Sequence, residues 1–187
     1  MKKHELTDDT ITVGGRILHR IKALKSFSDV EEGDLGGYVE KEDNLDHSGE
    51  AWVSGNARVY GNARVYGDAW VYGDARVSGD ARVYGNARVY GNARVYGNAR
   101  VSGDARVSGD ARVSGENDYA AAKGFGREYR TTTFFRLQDG GIGVRCGCFC
   151  GTLEEFREKV KETHKESKLG KEYLMLADLM EYKFKDE

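Results

Sequence analysis

Three cysteines spaced two apart, Cys146, Cys148 and Cys150, are the most reactive run in this chain. On one extended strand alternate side chains share a face, so all three thiols are expected to point the same way. His164, on a helix that follows, would then complete a Cys3His donor set of the kind that holds zinc. Two points weigh against the ion. Structural zinc sites pair two separated knuckles, and a straight strand sets alternate side chains about 6.6 Å apart. Cysteines packed against the helix are the commoner outcome, so the expected cofactor is none. Immediately afterwards Gly151-Thr152 opens a helix, whose first N–H groups suit a phosphate, but Glu154 and Glu155 follow at once and repel an anion. No histidine stands between His47 and His164, so the middle of the chain offers no imidazole base.

The middle of the chain is built to position side chains. Residues 51–116 are eleven hexapeptides in unbroken register, each reading Ala–Arg/Trp–Val–Tyr/Ser–Gly–Asn/Asp, with Glu116 alone departing at the last position. A short fixed period marks a solenoid, whose units stack because none buries its apolar face alone. Side chains alternate across each Ala-Arg-Val strand, which puts Ala and Val inside and Arg or Trp outside. Glycine supplies the turn, where a residue without Cβ takes positive φ.

The pattern aliphatic–x–Gly–Asn/Asp–small–x resembles the hexapeptide repeat of left-handed parallel β-helices, and Gly33-Asp34-Leu35-Gly36-Gly37-Tyr38-Val39 resembles the lead-in segment of YdcK-like single-stranded β-helix proteins. Similar repeats occur in uncharacterised phage and prophage proteins. The resemblance implies a left-handed coil of three hexapeptides. Many enzymes of that shape are acyltransferases with a catalytic histidine on a coil or an inserted loop, working between the subunits of a trimer. This chain departs from them, having neither coil histidine nor insertion, and so it also lacks the three-histidine zinc site of the related carbonic anhydrases. The outward threonine ladders of ice-binding rods are absent too, since the repeat contains no Thr.

With three hexapeptides per coil, residues 18 apart stack about 4.8 Å from each other. The turn position then reads Asn56, Asp74, Asn92, Asp110 on one edge, Asn62, Asp80, Asn98, Glu116 on the second, and Asp68, Asn86, Asp104 on the third. Acid and amide alternate along all three. Stacked carboxylates repel, whereas an amide between them donates a hydrogen bond, so the alternation independently supports the 18-residue coil.

The outward strand positions stack as Trp52, Trp70, Arg88, Arg106, then Arg58, Arg76, Arg94, Arg112, then Arg64, Arg82, Arg100. Nine Arg against five Asp and Glu116 leave this segment at +3. One expectation is a solvated ladder cross-braced to the Asp edges; the other is an anion-binding face. Trp52 and Trp70 are neighbours in successive coils, with Arg88 placed to stack on Trp70. Trp52, Trp70, Arg88 and Arg106 are therefore the candidate binding residues. The two Trp form a contact surface or lie beneath the N-terminal segment or a C-terminal loop. Outward Tyr60, Tyr66, Tyr72, Tyr84, Tyr90 and Tyr96 brace corners or form an interface.

The expected architecture is mainly β: a β-hairpin cap over residues 1–36, a left-handed β-helix over 37–116, and a connector plus a small α+β module over 117–187. Thr10-Ile11-Thr12-Val13 and Arg16 to Leu24 flank the Gly14-Gly15 turn of the cap. Leu45 takes an Ala position and His47 an inward Val position in a degenerate first coil. Thr131 to Leu137 and Ile142 to Phe149 form a second hairpin. Thr152-Leu153-Glu154-Glu155 is a capping box that opens a helix to about Lys165, and a second helix runs from about Lys171 to Phe184 with Tyr173, Leu176, Ala177 and Met180 inward.

A net charge of −2 in 187 residues gives no basic field for nucleic acid. No stretch is apolar enough for a membrane span, the N-terminus lacks the apolar run of a signal peptide, and three cysteines make no disulfide framework. These point to the cytoplasm of a bacterial or phage-infected cell. The expected function is a non-enzymatic scaffold or binding protein that presents its C-terminal module to a protein partner or to itself. The alternatives are a phage-type protein sequestering a small anionic ligand such as a nucleotide between subunits through Arg and Tyr, and a degenerate acyltransferase relative.

Overall fold

A computed structural model describes residues 2–185. It is a mainly β protein: a β-solenoid of about four coils, with an antiparallel sheet at its N-terminal end and a sheet with two helices at its C-terminal end. Strands β1 (His4–Val13) and β2 (Arg16–Ala23) form an antiparallel hairpin, and β3 (Leu35–Val39) pairs antiparallel with β2. β3 also pairs in parallel with the solenoid rung Arg58–Val59, so cap and rod share one sheet.

Eleven two-residue strands follow, β4 (Trp52–Val53) through β14 (Arg112–Val113). Each of the first eight pairs in parallel with the strand 18 residues on, as in Val53 beside Val71, Val71 beside Val89 and Val89 beside Val107. Every repeat Ala and Val from Ala51 to Val113 is fully buried, as alternation requires. Ten repeat glycines hold φ between +61° and +72°. The eleventh, Gly115, is extended at φ −153° because a 3-10 turn at Glu116–Asp118 replaces the next coil. The turn is also crowded: a Cβ on Gly79 would sit 2.9 Å from the Gly97 nitrogen one coil away.

The acid–amide ladder is present. Asn56, Asn62, Asn86 and Asn92 each donate Nδ2 to the Asp 18 residues on, at 3.0–3.2 Å. Arginine does little of the expected cross-bracing; among the described residues, the ladder forms a single ion pair, Arg100 to Glu116 at 3.9 Å. The Asp edges are already bridged by amides, and most guanidinium groups of the ladders are exposed, Arg112 instead donating to Gln138 and the Asn92 carbonyl.

The first coil differs from the expected register. Val39 lies beside Val59 and Leu45 beside Val65, a spacing of twenty residues instead of eighteen. Leu45 therefore fills the inward Val place, and the two extra residues carry His47 out of the core. Its ring stacks on His4 at 4.3 Å. The buried Lys3 closes the open N-terminal mouth, donating Nζ to the carbonyls of Ala51 at 2.7 Å and Gly49 at 3.4 Å.

Beyond the rod, β15 (Tyr119–Ala122), β16 (Thr132–Arg136), β17 (Ile142–Cys146) and β18 (Phe149–Thr152) form an antiparallel sheet in chain order. The expected connector thus contributes β15, and the expected strand from Ile142 to Phe149 is broken by a turn at Gly147, whose φ is +58°. The sheet is two-faced. Phe135 joins the solenoid core, while Phe134 and Val144 join the core beneath the helices α1 (Leu153–His164) and α2 (Lys168–Lys183). Thr152 and Glu155 make the reciprocal capping box of α1, and Ser167 caps α2, starting it three residues before the expected Lys171.

The terminal coil has no further coil to accept its N–H groups, so the cap supplies side-chain acceptors. Thr133 Oγ1 accepts from Arg106 N at 3.0 Å, the Tyr119 hydroxyl from Ser102 N at 3.4 Å, and Asp118 from Ser114 N at 2.8 Å. Both ends of the rod are sealed.

Candidate functional site

The four candidate binding residues do share one outward ladder, Trp52 beside Trp70, Trp70 beside Arg88, Arg88 beside Arg106. Their surroundings separate them. Trp52 is buried, covered edge-on by Phe27 at 5.5 Å between ring centres. Phe27 and Val30 exchange two backbone hydrogen bonds of 2.9 Å, closing a tight turn with Ser28 and Asp29 at its tip. Lys3 Nζ lies over the Phe27 ring, 5.1 Å from its centre. Trp52 is thus the anchor of a loop whose tip lines one groove with Trp70. Sequence reasoning missed Ser28 and Asp29; the only local signal was a short Ser/Asp run.

Trp70 is half-buried and Arg88 exposed. Together with Ser28, Asp29, Ser54 and Tyr72 they line a groove of about 290 Å³. The neighbouring corner ladder carries Tyr72 on Tyr90, stacked at 4.8 Å with parallel rings. The cation over an aromatic ring here is Arg145, whose guanidinium lies 5.7 Å from the Tyr90 centre; Arg88 makes no such contact with Trp70. Arg145 comes from β17 on the C-terminal cap, and its Nε is buried without a hydrogen-bond partner. Burial raises the Tyr72 phenol above its ordinary range and Tyr90 adds to this, while Arg88, Arg106 and Arg145 all pull it back. Three guanidinium groups therefore act on one phenol. None of the three has an ion-pair partner among the described residues.

The cysteines separate. Cys146 pairs with Phe149 and Arg145 with Cys150 across the hairpin, so Cys146 faces the helices and Cys150 faces the solenoid, 3.7 Å from Ser108 Oγ. The expectation that all three thiols share a face fails because the strand turns at Gly147. Among the described residues no three His, Cys, Asp or Glu side chains are grouped to hold a metal ion. Cys146, Cys148 and His164 do border one apolar cavity of about 420 Å³, with Phe149, Phe156 and Tyr173. Burial pushes the Tyr173 phenol up to about 12, and the Cys146 thiol adds to it. Glu155 takes both the Thr152 N–H and, through its own N–H, the Thr152 hydroxyl, which uses the groups a phosphate would need.

A second feature lies at the far end. Met175, Leu179 and Tyr182 are 69%, 57% and 77% exposed, and their spacing places them on one face of α2. No helix among the described residues is long and apolar enough to cross a membrane.

Comparison with known proteins bears on the rod. The family model of the YdcK β-solenoid repeat matches residues 51–67, 57–73, 69–85, 75–91, 81–97, 87–103 and 93–109. No curated protein matches the chain. Seven overlapping matches in the register of the stacked coils show that residues 51–109 are similar to the YdcK β-solenoid repeat.

Proposed function

We propose that this protein is a non-enzymatic scaffold whose rod presents its C-terminal module for protein contact, in the first place with a second copy of itself. The observation that carries this reading is the apolar stripe Met175, Leu179, Tyr182 on the helix that faces away from the solenoid. Contiguous exposed apolar side chains of this kind mark contact surfaces. A second copy of the chain offers the same stripe, so two α2 helices related by a twofold axis can cover each other's apolar faces. Unpaired thiols at Cys146, Cys148 and Cys150 fit a reducing compartment, in keeping with a bacterial or phage-infected cytoplasm.

Sedimentation velocity over about 1 to 100 µM tests it. A dimer that Leu179→Glu converts to monomer supports the reading. A wild-type chain that stays monomeric throughout, or a Leu179→Glu variant that dimerises equally well, overturns it.

A further inference from the structure

The groove beside Trp70 is a separate feature from the α2 stripe, and its chemistry is graded along the rod. At its N-terminal end it is lined by Trp70, Ser28, Ser54 and Asp29. Towards the C-terminal end the same ladder continues with Arg88 and Arg106, and Arg145 from the cap lies over Tyr90, the ring stacked on Tyr72 of the groove wall. Successive coils are about 4.8 Å apart, so Trp70 and Arg106 are separated by roughly 10 Å.

We infer that this groove binds a small planar aromatic ring bearing N–H donors and linked to an anionic group: a nucleoside monophosphate class of ligand. Trp70 stacks the ring, since aromatic side chains hold bases by their π-faces. Asp29 accepts from the ring's N–H groups, a carboxylate that would be out of place beside the anion but fits the donor edge of a base. Arg88, which lines the groove, and Arg106 on the next coil take the phosphate, for which guanidinium forks are suited. The site is complete within one chain, unlike a site shared between subunits. Its framework is rigid on both sides: Phe27 on Trp52 fixes the Asp29 tip, and Thr133 bonded to Arg106 N fixes the cap that carries Arg145.

Calorimetric titration of the full chain tests this with AMP, GMP, CMP and UMP, with the four nucleosides, and with inorganic phosphate. Saturable binding of at least one monophosphate is expected, with its nucleoside and phosphate each weaker by tenfold or more. Losing one charge-assisted contact costs about tenfold, so Arg88→Gln and Arg106→Gln each weaken the monophosphate by roughly that factor and the nucleoside little. Trp70→Leu weakens both alike. Three results overturn the inference: no monophosphate saturating by about 1 mM, inorganic phosphate binding as tightly as the nucleotides, or Arg88→Gln and Arg106→Gln binding as wild type. Both Arg variants should keep the wild-type sedimentation profile, which separates this site from self-association.

Discussion

Changing Asn92 to Asp probes the physical basis of the turn ladder. Asn92 lies between Asp74 and Asp110, donating to Asp110 at 3.2 Å. Asn92→Asp is nearly isosteric, yet it replaces a donor with a third stacked charge. Two new like-charge pairs form at about 4.8 Å, each worth about 0.9 kcal/mol at the dielectric of water, the appropriate limit for exposed side chains. Loss of the hydrogen bond adds about 1 kcal/mol, for a total of roughly 3 kcal/mol. For a chain of this size that lowers Tm by roughly 6–12 °C. The Coulomb part should largely vanish in about 1 M salt, where the Debye length is near 3 Å, leaving a drop of roughly 2–4 °C. Thermal melts by circular dichroism at pH 7.5 in about 10 mM and 1 M NaCl measure both. Asn92→Ala, which loses the bond without adding charge, should show the small drop at both salts. A drop in Asn92→Asp that is absent, or that salt does not change, refutes the electrostatic account of the alternation.

The N-terminal seal should weaken in acid. His4 is buried against His47 with neither ring nitrogen hydrogen-bonded, and burial first, then His47 and Lys3, hold its pKa at about 4 against an ordinary 6.5. The neutral ring belongs to the folded state, so its contribution is complete above pH 6.5 and is lost as pH falls from 6.5 towards 4, up to about 3 kcal/mol. His4→Phe keeps the stack and removes the titration; in urea melts at pH 7.5 and 4.5 it should lose less stability than wild type, and an equal loss contradicts the assignment. In the turns, Gly79→Ala combines a φ of +69° with a Cβ 2.9 Å from the Gly97 nitrogen. It should cost about 2 kcal/mol, read as a shifted urea midpoint with unchanged slope, and a midpoint equal to wild type would falsify the crowding argument.

Much of the rod was legible in the chain itself, because a repeat makes each local rule apply many times. Alternation placed every Ala and Val inside, and the Asn/Asp alternation by itself indicates which residues stack. The capping box at Thr152 and Glu155 was equally plain, being a contact between residues three apart. What the chain could not disclose depends on where non-repeating segments return to the rod. Two extra residues before Ala51 move Leu45 into the valine stack and His47 out of it. A turn at Gly147 sends Cys146 and Cys150 to opposite faces. Trp52 and Trp70 hold equivalent places in the repeat, yet one is an anchor under Phe27 and the other lines a groove. That difference, and the arrival of Arg145 over Tyr90 from 55 residues away, come from packing of the two end caps against the coils. Period specifies the neighbours along a ladder, but only tertiary packing decides which rungs are covered.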